Sequence, residues 1–373
     1  MKLAIVHDYL NQYGGAERVI EVLHKIFPKA YIFTSIYIPK NLPETFKNME
    51  IHTSFMQKLP FIDKHFKKYL FLYPIAIESF NFDKYDIVLS SSTAFAKGIK
   101  KSDKTCHICY CNTPMRFVWD YDNYVKRENV NKIFLKILQP FINKLKKWDL
   151  ITLNRVDYFI ANSYNIKNRI KKLYNRDSEV IYPSIDVNKF KISQKRGDYF
   201  LIVSRLNSYK RIDLVINAFN ELNLKLKIVG DGPHKNELLR LAKSEKIEFL
   251  GKIYDEDLYK LYSECKALIF PGSEDFGLTP IEAQASGRPV IAFKGGGALE
   301  TILEEKTGIF FEEQSVQSLK SAIKRFLEIE NRFNPLKIRE HALKFDESIF
   351  KNSILNFINE KSNDYFNKSK IIR

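Results

Sequence analysis

Four charged residues in the second half of the chain have the types and spacing to handle a phosphorylated substrate. Glu274 and Glu282 bracket the run S-E-D-F-G-L-T-P-I-E, and Arg205 and Lys210 stand in S-R-L-N-S-Y-K-R. Glu274 closely follows the apolar run 266–270, which places it at the end of a strand. Gly277 lets the backbone approach a ligand closely. The free N–H groups of Gly277, Leu278 and Thr279, at a helix start, form an anion site. Arg205 and Lys210 follow another strand and so belong to the same rim. Two cations beside a helix N-terminus suit a diphosphate. Gly295-Gly296-Gly297 adds a third backbone-rich loop on that rim. No Asp-x-Asp element stands out as a metal site in the right place. Fixed cations and amides can hold the developing charge, so neither metal nor other cofactor is expected.

A purely local reading competes. Thr279 as N-cap, Pro280 at N1 and Glu282 at N3 would make a capping box. Gly287 would end that helix, and Pro289 would block its continuation. This accounts for Glu282 but leaves Glu274 and Gly277 unexplained.

The elements that must position these residues alternate along the chain. Residues 3–6, 86–89, 105–111, 158–161 and 180–182 read as strands, and Val19, Ile20, Leu23 and Phe27 share one face of a helix over 16–27. The polar stretch 191–198 breaks the pattern and is taken as a boundary. A second series begins at 199–204, with further strands at 225–229, 248–250, 267–270 and 289–292. Helices are expected at 211–220, 235–243, 255–263 and 280–286. Repeated βα units imply parallel sheets covered by helices, with ligands beyond the carboxyl ends of the strands. The expected organisation is α/β with two Rossmann-like domains facing a central cleft. These are 1–190 on the acceptor side and 191–345 on the nucleotide side. A terminal helix in 346–373 packs back on the first domain.

The chain has 373 residues, 45% of them hydrophobic, which suits two domains. It has no 18-residue apolar run and no secretory leader, so a cytoplasmic protein is expected. Lys plus Arg number 60 against 44 Asp plus Glu, a net charge of +16. That excess favours an anionic partner, although Lys-rich composition accounts for part of it. Cys106, His107, Cys109 and Cys111 cluster in sequence, but alternate strand residues face opposite ways. Buried reduced thiols are expected there rather than a metal site. The segment 131–149 is apolar and basic together. It fits either a peripheral contact with an anionic membrane or a helix packed on the first domain, interrupted at Pro140.

Taken together, these residues resemble the retaining glycosyltransferases of family four, whose two-domain architecture is called GT-B. The resemblance covers nearly the whole chain. Its parts are the E-x7-E element from Glu274 to Glu282, the Arg205 to Lys210 spacing, "GDGPHKNEL" at 230–238 and "FLGKIYDEDLYKLYSECKALIFPG" at 249–272. In the first half, "IVHDYLNQYGGAERVIEVL" at 5–23, "CNTPMRFVWD" at 111–120 and "VDYFIANS" at 156–163 resemble bacterial mannosyltransferases of O-antigen assembly. The resemblance implies transfer of a hexose, mannose from GDP-mannose, to a saccharide or lipid-linked saccharide in lipopolysaccharide biosynthesis.

It also implies roles. Arg205 and Lys210 hold the diphosphate, Glu274 the hydroxyls of the transferred sugar, and Glu282 the ribose hydroxyls. Gly14 and Gly15 would approach the phosphate across the cleft, although the pair also fits an ordinary βα turn. His7, Asp8, Asn112 and Arg116 fall on the acceptor side. One departure stands out: the branch usually has His just before Thr-Pro-Met-Arg, and here it is Asn112. A neutral amide can hydrogen-bond a hydroxyl but is no base near pH 7. That role falls to Asn112, to His107 or to no residue at all.

Rival readings are a sugar-nucleotide epimerase or hydrolase on the same fold, a phosphorylase, and a basic nucleic-acid-binding protein. The Lys and Arg residues are scattered and no nucleic-acid module is evident, so no nucleic-acid partner is expected.

Overall fold

Thirteen short strands, all paired in parallel, organise the residues described by the computed structural model, 1–120 and 132–371. They form two separate sheets. The first has the order β3-β2-β1-β4-β5-β6-β7. Its strands are β1 (Leu3–His7), β2 (Tyr31–Thr34), β3 (Ile51–Thr53), β4 (Ile87–Ser92), β5 (Cys106–Cys111), β6 (Tyr158–Ala161) and β7 (Ser178–Val180). The second has the order β10-β9-β8-β11-β12-β13. It comprises β8 (Tyr199–Val203), β9 (Lys225–Val229), β10 (Ile247–Gly251), β11 (Leu268–Phe270), β12 (Val290–Phe293) and β13 (Gly308–Phe311). Each is a Rossmann-like parallel sheet. In each the order reverses once, between β1 and β4 and between β8 and β11. Such switch points open a crevice at the carboxyl ends of the strands.

Strands β2, β3 and β13 escape the sequence reading. "YIFT", "IHT" and "GIFF" are too short for alternation to be counted, and they become strands by pairing with β1, β2 and β12.

The chain divides into one unit of Met1–Pro183 with Phe350–Arg373 and a second of Ser184–Ile349. The boundary therefore lies at Ser184 rather than at Lys191. The reason is local pairing. Ile185 donates its N–H to the Phe345 carbonyl, and Arg339 donates to the carbonyls of Val187 and Phe190. These bonds tie 184–190 to the second unit, although its composition resembles the strand region before it. The second unit likewise runs to Ile349. Helix Glu347–Ile371 then places Phe350, Ile354, Phe357 and Ile358 in the first unit's core, beside Ile5, Ile108 and Tyr110.

Helix Lys132–Ile151 continues through Pro140, where an interruption is expected from the sequence. Residue 131 and the side chains of 132–138 lie outside the described residues. Further along, Ile142 and Leu145 are buried while Lys144, Lys146 and Lys147 are exposed, a one-sided packing pattern.

Candidate active site

Three of the four charged residues singled out by spacing, Arg205, Lys210 and Glu274, stand on the loops at the second unit's switch point. The loop after β8 carries Arg205, which is exposed, and then Leu206, which is fully buried. Leu206 anchors that loop. Its N–H donates to the Asp231 carbonyl at 3.0 Å, and its own carbonyl accepts from His234 N–H at 2.9 Å. A side chain at Gly232 would collide with the Leu206 backbone, so the loops after β8 and β9 brace each other at backbone distance. The braced loop presents Lys210, whose Nζ lies 2.5 Å from Glu274 Oε1 in the loop after β11. The side chains are 13% and 21% exposed, so the pair is largely shielded while one side reaches solvent.

Glu274 is fixed from the other flank by Gly295-Gly296-Gly297. Gly297 N–H donates to the Glu274 carbonyl at 2.9 Å. A Cβ on Gly296, whose φ is +59°, would stand 2.2 Å from that carbonyl oxygen, and one on Gly297 would stand 2.2 Å from Phe276 Cα. Only glycine fits two backbones this close.

Helix Leu278–Ala285 starts beside this loop, with Gly277 as N-cap at φ +92°. Leu278 and Thr279 supply first-turn amides, and the glycine N-cap has no side chain to occupy them. The capping box is not what forms. The helix begins one residue before Thr279, which puts Glu282 in its second turn rather than at N3. The Glu282 carboxylate instead accepts a 2.5 Å hydrogen bond from the Tyr262 hydroxyl, and the residue is only 2% exposed. Tyr262 escapes sequence reasoning because Leu258 and Tyr262, four apart, read simply as the apolar face of a helix.

In the first unit Gly14 is the N-cap of helix Gly15–Ile26, and Gly14 N–H donates to Glu17 Oε2 at 2.9 Å. Glu17 Oε1 lies 3.7 Å from His7 Nε2, and His7 Nδ1 lies 3.0 Å from the Ser91 carbonyl. Burial disfavours the charged imidazole. The Glu17 and Asp8 carboxylates outweigh it and hold the His7 pKa above its ordinary value. Asp8 is not directed outward as expected of an acceptor-side residue. It is fully buried, and its carboxylate accepts from the N–H groups of Thr93, Ala94, Phe95 and Ala96 and from the Thr93 hydroxyl. That is the work of a loop anchor.

Asn112 follows β5 and donates to the Ser91 hydroxyl at 2.9 Å, while its carbonyl accepts from Asn162. Arg116 opens the short helix Arg116–Trp119 and is half-buried. His107 cannot replace the missing histidine. It sits inside β5, bonded through Nε2 to the Ser90 hydroxyl and through Nδ1 to the Arg155 carbonyl, and burial pushes its pKa down to about 3. The four cysteines are free and buried, and burial pushes the Cys106, Cys109 and Cys265 thiols up to about 12. Among the described residues, no group of three His, Cys, Asp or Glu side chains is placed to hold a metal ion.

Two family descriptions match overlapping parts of the chain. "Glycosyltransferase Family 4" matches residues 13–189, and "Glycosyl transferases group 1" matches residues 184–344. Alpha-1,3/1,6-mannosyltransferase ALG2 of Dictyostelium discoideum is 26% identical over 83% of this chain and 85% of its own length. O-antigen chain mannosyltransferase RfbU of Salmonella typhimurium is 32% identical over 38% of this chain and 43% of its own, so that match spans less than half of either protein. Among solved structures, HepE of Anabaena in complex with UDP and glucose superposes with a TM-score of 0.72 at 18% identity, covering 96% of this chain and 99% of that one. Two parallel-sheet domains, a charged loop cluster at a switch point and matches running from residue 13 to residue 344 converge on one conclusion: the chain belongs to the GT-B glycosyltransferases of family four.

Proposed function

We propose that the protein is a retaining hexosyltransferase that moves mannose from GDP-mannose to a lipid-linked saccharide in bacterial surface polysaccharide or O-antigen assembly. The observation that carries this reading is the Lys210–Glu274 pair, formed by the loop after β8 that also carries Arg205 and by the loop that leads into helix Leu278–Ala285. The glycosidic bond to the nucleoside diphosphate breaks, a new bond to the acceptor hydroxyl forms, and the hydroxyl proton leaves with the diphosphate. Negative charge grows on the departing phosphate and positive character at the anomeric carbon. Arg205, Lys210 and the amides of Leu278 and Thr279 stabilise the first without a metal. Glu274 holds sugar hydroxyls, and Glu282 the ribose diol. Mannose is supported by the names of the mannosyltransferase relatives. A panel of nucleotide sugars tested for hydrolysis and for protection against thermal unfolding checks the donor. GDP-mannose should protect most, and preference for another nucleotide sugar would replace the assignment.

Attachment to an anionic membrane surface, without insertion, belongs to the same proposal. No described helix is long and apolar enough to cross a membrane. Support comes from the rings of Phe71 and Phe141, which touch at 4.8 Å between centroids while 38% and 46% exposed. Ile75 is exposed four positions after Phe71, and Lys67, Lys68, Lys144 and Lys147 are exposed on the same two segments. Exposed aromatic groups beside lysines suit an anionic lipid surface. Phe71→Ser with Phe141→Ser should lower co-flotation with phosphatidylglycerol vesicles. Equal flotation of variant and wild type would remove this part.

A further inference from the structure

We infer that Tyr262 is a positioning residue for nucleotide recognition, setting the carboxylate of Glu282 so that it reads a ribose diol. The inference rests on the proposed ribose role of Glu282 and adds a residue from a different helix. Tyr262 lies on helix Asp255–Glu264, and Glu282 lies on helix Leu278–Ala285. Their side chains meet at 2.5 Å, phenol donating and carboxylate accepting, with Tyr262 fully buried and Glu282 almost so. A short O–H···O⁻ bond in a dry setting is among the stronger neutral-to-charged contacts.

The donor is itself immobilised. The Phe190 ring stands edge-on to the Tyr262 ring at 6.0 Å, and the Tyr259 ring packs on Phe190 at 4.9 Å. On the acceptor side the Glu282 backbone is held as well, since its carbonyl accepts from both the N–H and the hydroxyl of Ser286. With backbone and phenol both fixed, the carboxylate plane has little freedom. A carboxylate offers about four acceptor directions, and the phenol takes one on Oε2. That bond sets the plane in which the carboxylate would meet a vicinal diol. A flexible glutamate would lose side-chain entropy on binding, whereas a preset one has lost it in folding. A helix-packing role alone would need only the ring of Tyr262, not its hydroxyl.

The experiment compares each protein's affinity for GDP with its affinity for 2′-deoxy-GDP, by titration calorimetry on wild type, Tyr262→Phe and Glu282→Gln. UDP and 2′-deoxy-UDP serve as the second pair. The ratio within one preparation cancels any general loss of stability. The wild type should prefer the ribonucleotide, and Glu282→Gln and Tyr262→Phe should each narrow that preference by roughly tenfold. Phe190→Leu loosens the ring and keeps the hydroxyl, so it should narrow the ratio by a smaller factor. A preference that Glu282→Gln narrows, but that both Tyr262→Phe and Phe190→Leu leave intact, overturns the positioning role and spares the ribose reading. A wild type that binds ribo- and deoxynucleotides equally overturns the ribose reading itself.

Discussion

Lys210 and Glu274, sixty-four positions apart in the chain, form an ion pair with Nζ 2.5 Å from Oε1. One comes from the loop after β8 and the other from the loop after β11, the two strands that flank the switch point of the second sheet. Each group is thus held in place by the other. A bound diphosphate and sugar offer the same two groups replacement partners, an anion for the lysine and hydroxyls for the glutamate.

Removing either cation should slow transfer while the fold persists. Arg205→Ala and Lys210→Ala each delete one charge-assisted contact, worth about 1.5–3 kcal/mol, or roughly tenfold to a hundredfold in rate. Steady-state transfer with circular dichroism on the same samples checks this, and wild-type turnover in both variants counts against a diphosphate at this rim.

The two glutamates should separate by ligand. Glu282→Gln should weaken the bare nucleoside diphosphate and the nucleotide sugar alike. Glu274→Gln should weaken the nucleotide sugar and lower transfer but leave the nucleoside diphosphate nearly untouched. Calorimetry with both ligands reads the difference, and equal losses in both variants would refute the division.

The glycine loop should tolerate no side chain. At Gly296 a Cβ would meet the Glu274 carbonyl at 2.2 Å, so Gly296→Ala must displace the glycine loop or the Glu274 backbone it abuts. Left-handed φ alone costs about 1 kcal/mol for a non-glycine residue. Loss of activity should therefore exceed what the shift in melting temperature explains. A variant as active as wild type would show that the loop position does not matter.

Chelation should not stop transfer. Activity is expected to survive excess EDTA, because the cations assigned to the leaving group are side chains. Full loss restored by Mg²⁺ or Mn²⁺ would contradict the proposal.

Buried His107 should make the fold acid-sensitive. Its folded pKa, about 3, lies below the ordinary histidine value of 6.5. Between these values the unfolded chain binds a proton that the native state does not, so stability rises with pH across this window. Its contribution is full above about pH 6.5 and falls as pH drops toward 3. His107→Asn should flatten the dependence of unfolding free energy on pH between 5 and 6.5, measured by urea titration. An unchanged slope would place the acid sensitivity elsewhere.

Much of the architecture is legible without coordinates. Apolar runs of strand length alternate with helical periodicity, and glycines and charged residues cluster just after the strands at 199–204 and 267–270. Those are local properties, set by backbone geometry and by side-chain spacing along the chain. They place Arg205, Lys210 and Glu274 on one rim. Local chemistry also misleads: Thr279-Pro280-Ile281-Glu282 has every residue of a capping box, yet the helix begins at Leu278. Gly277 takes the cap at positive φ, where a Cβ would stand 2.7 Å from the Phe270 ring. That contact belongs to the sheet, not to the segment. Tertiary packing alone decided that Glu282 meets Tyr262, that Asp8 serves the loop at 93–96, that His107 is sealed between β4 and β6, and that β13 exists. Each depends on a partner far along the chain, and a hydrogen bond or a strand pairing leaves no periodic trace in the residues that make it.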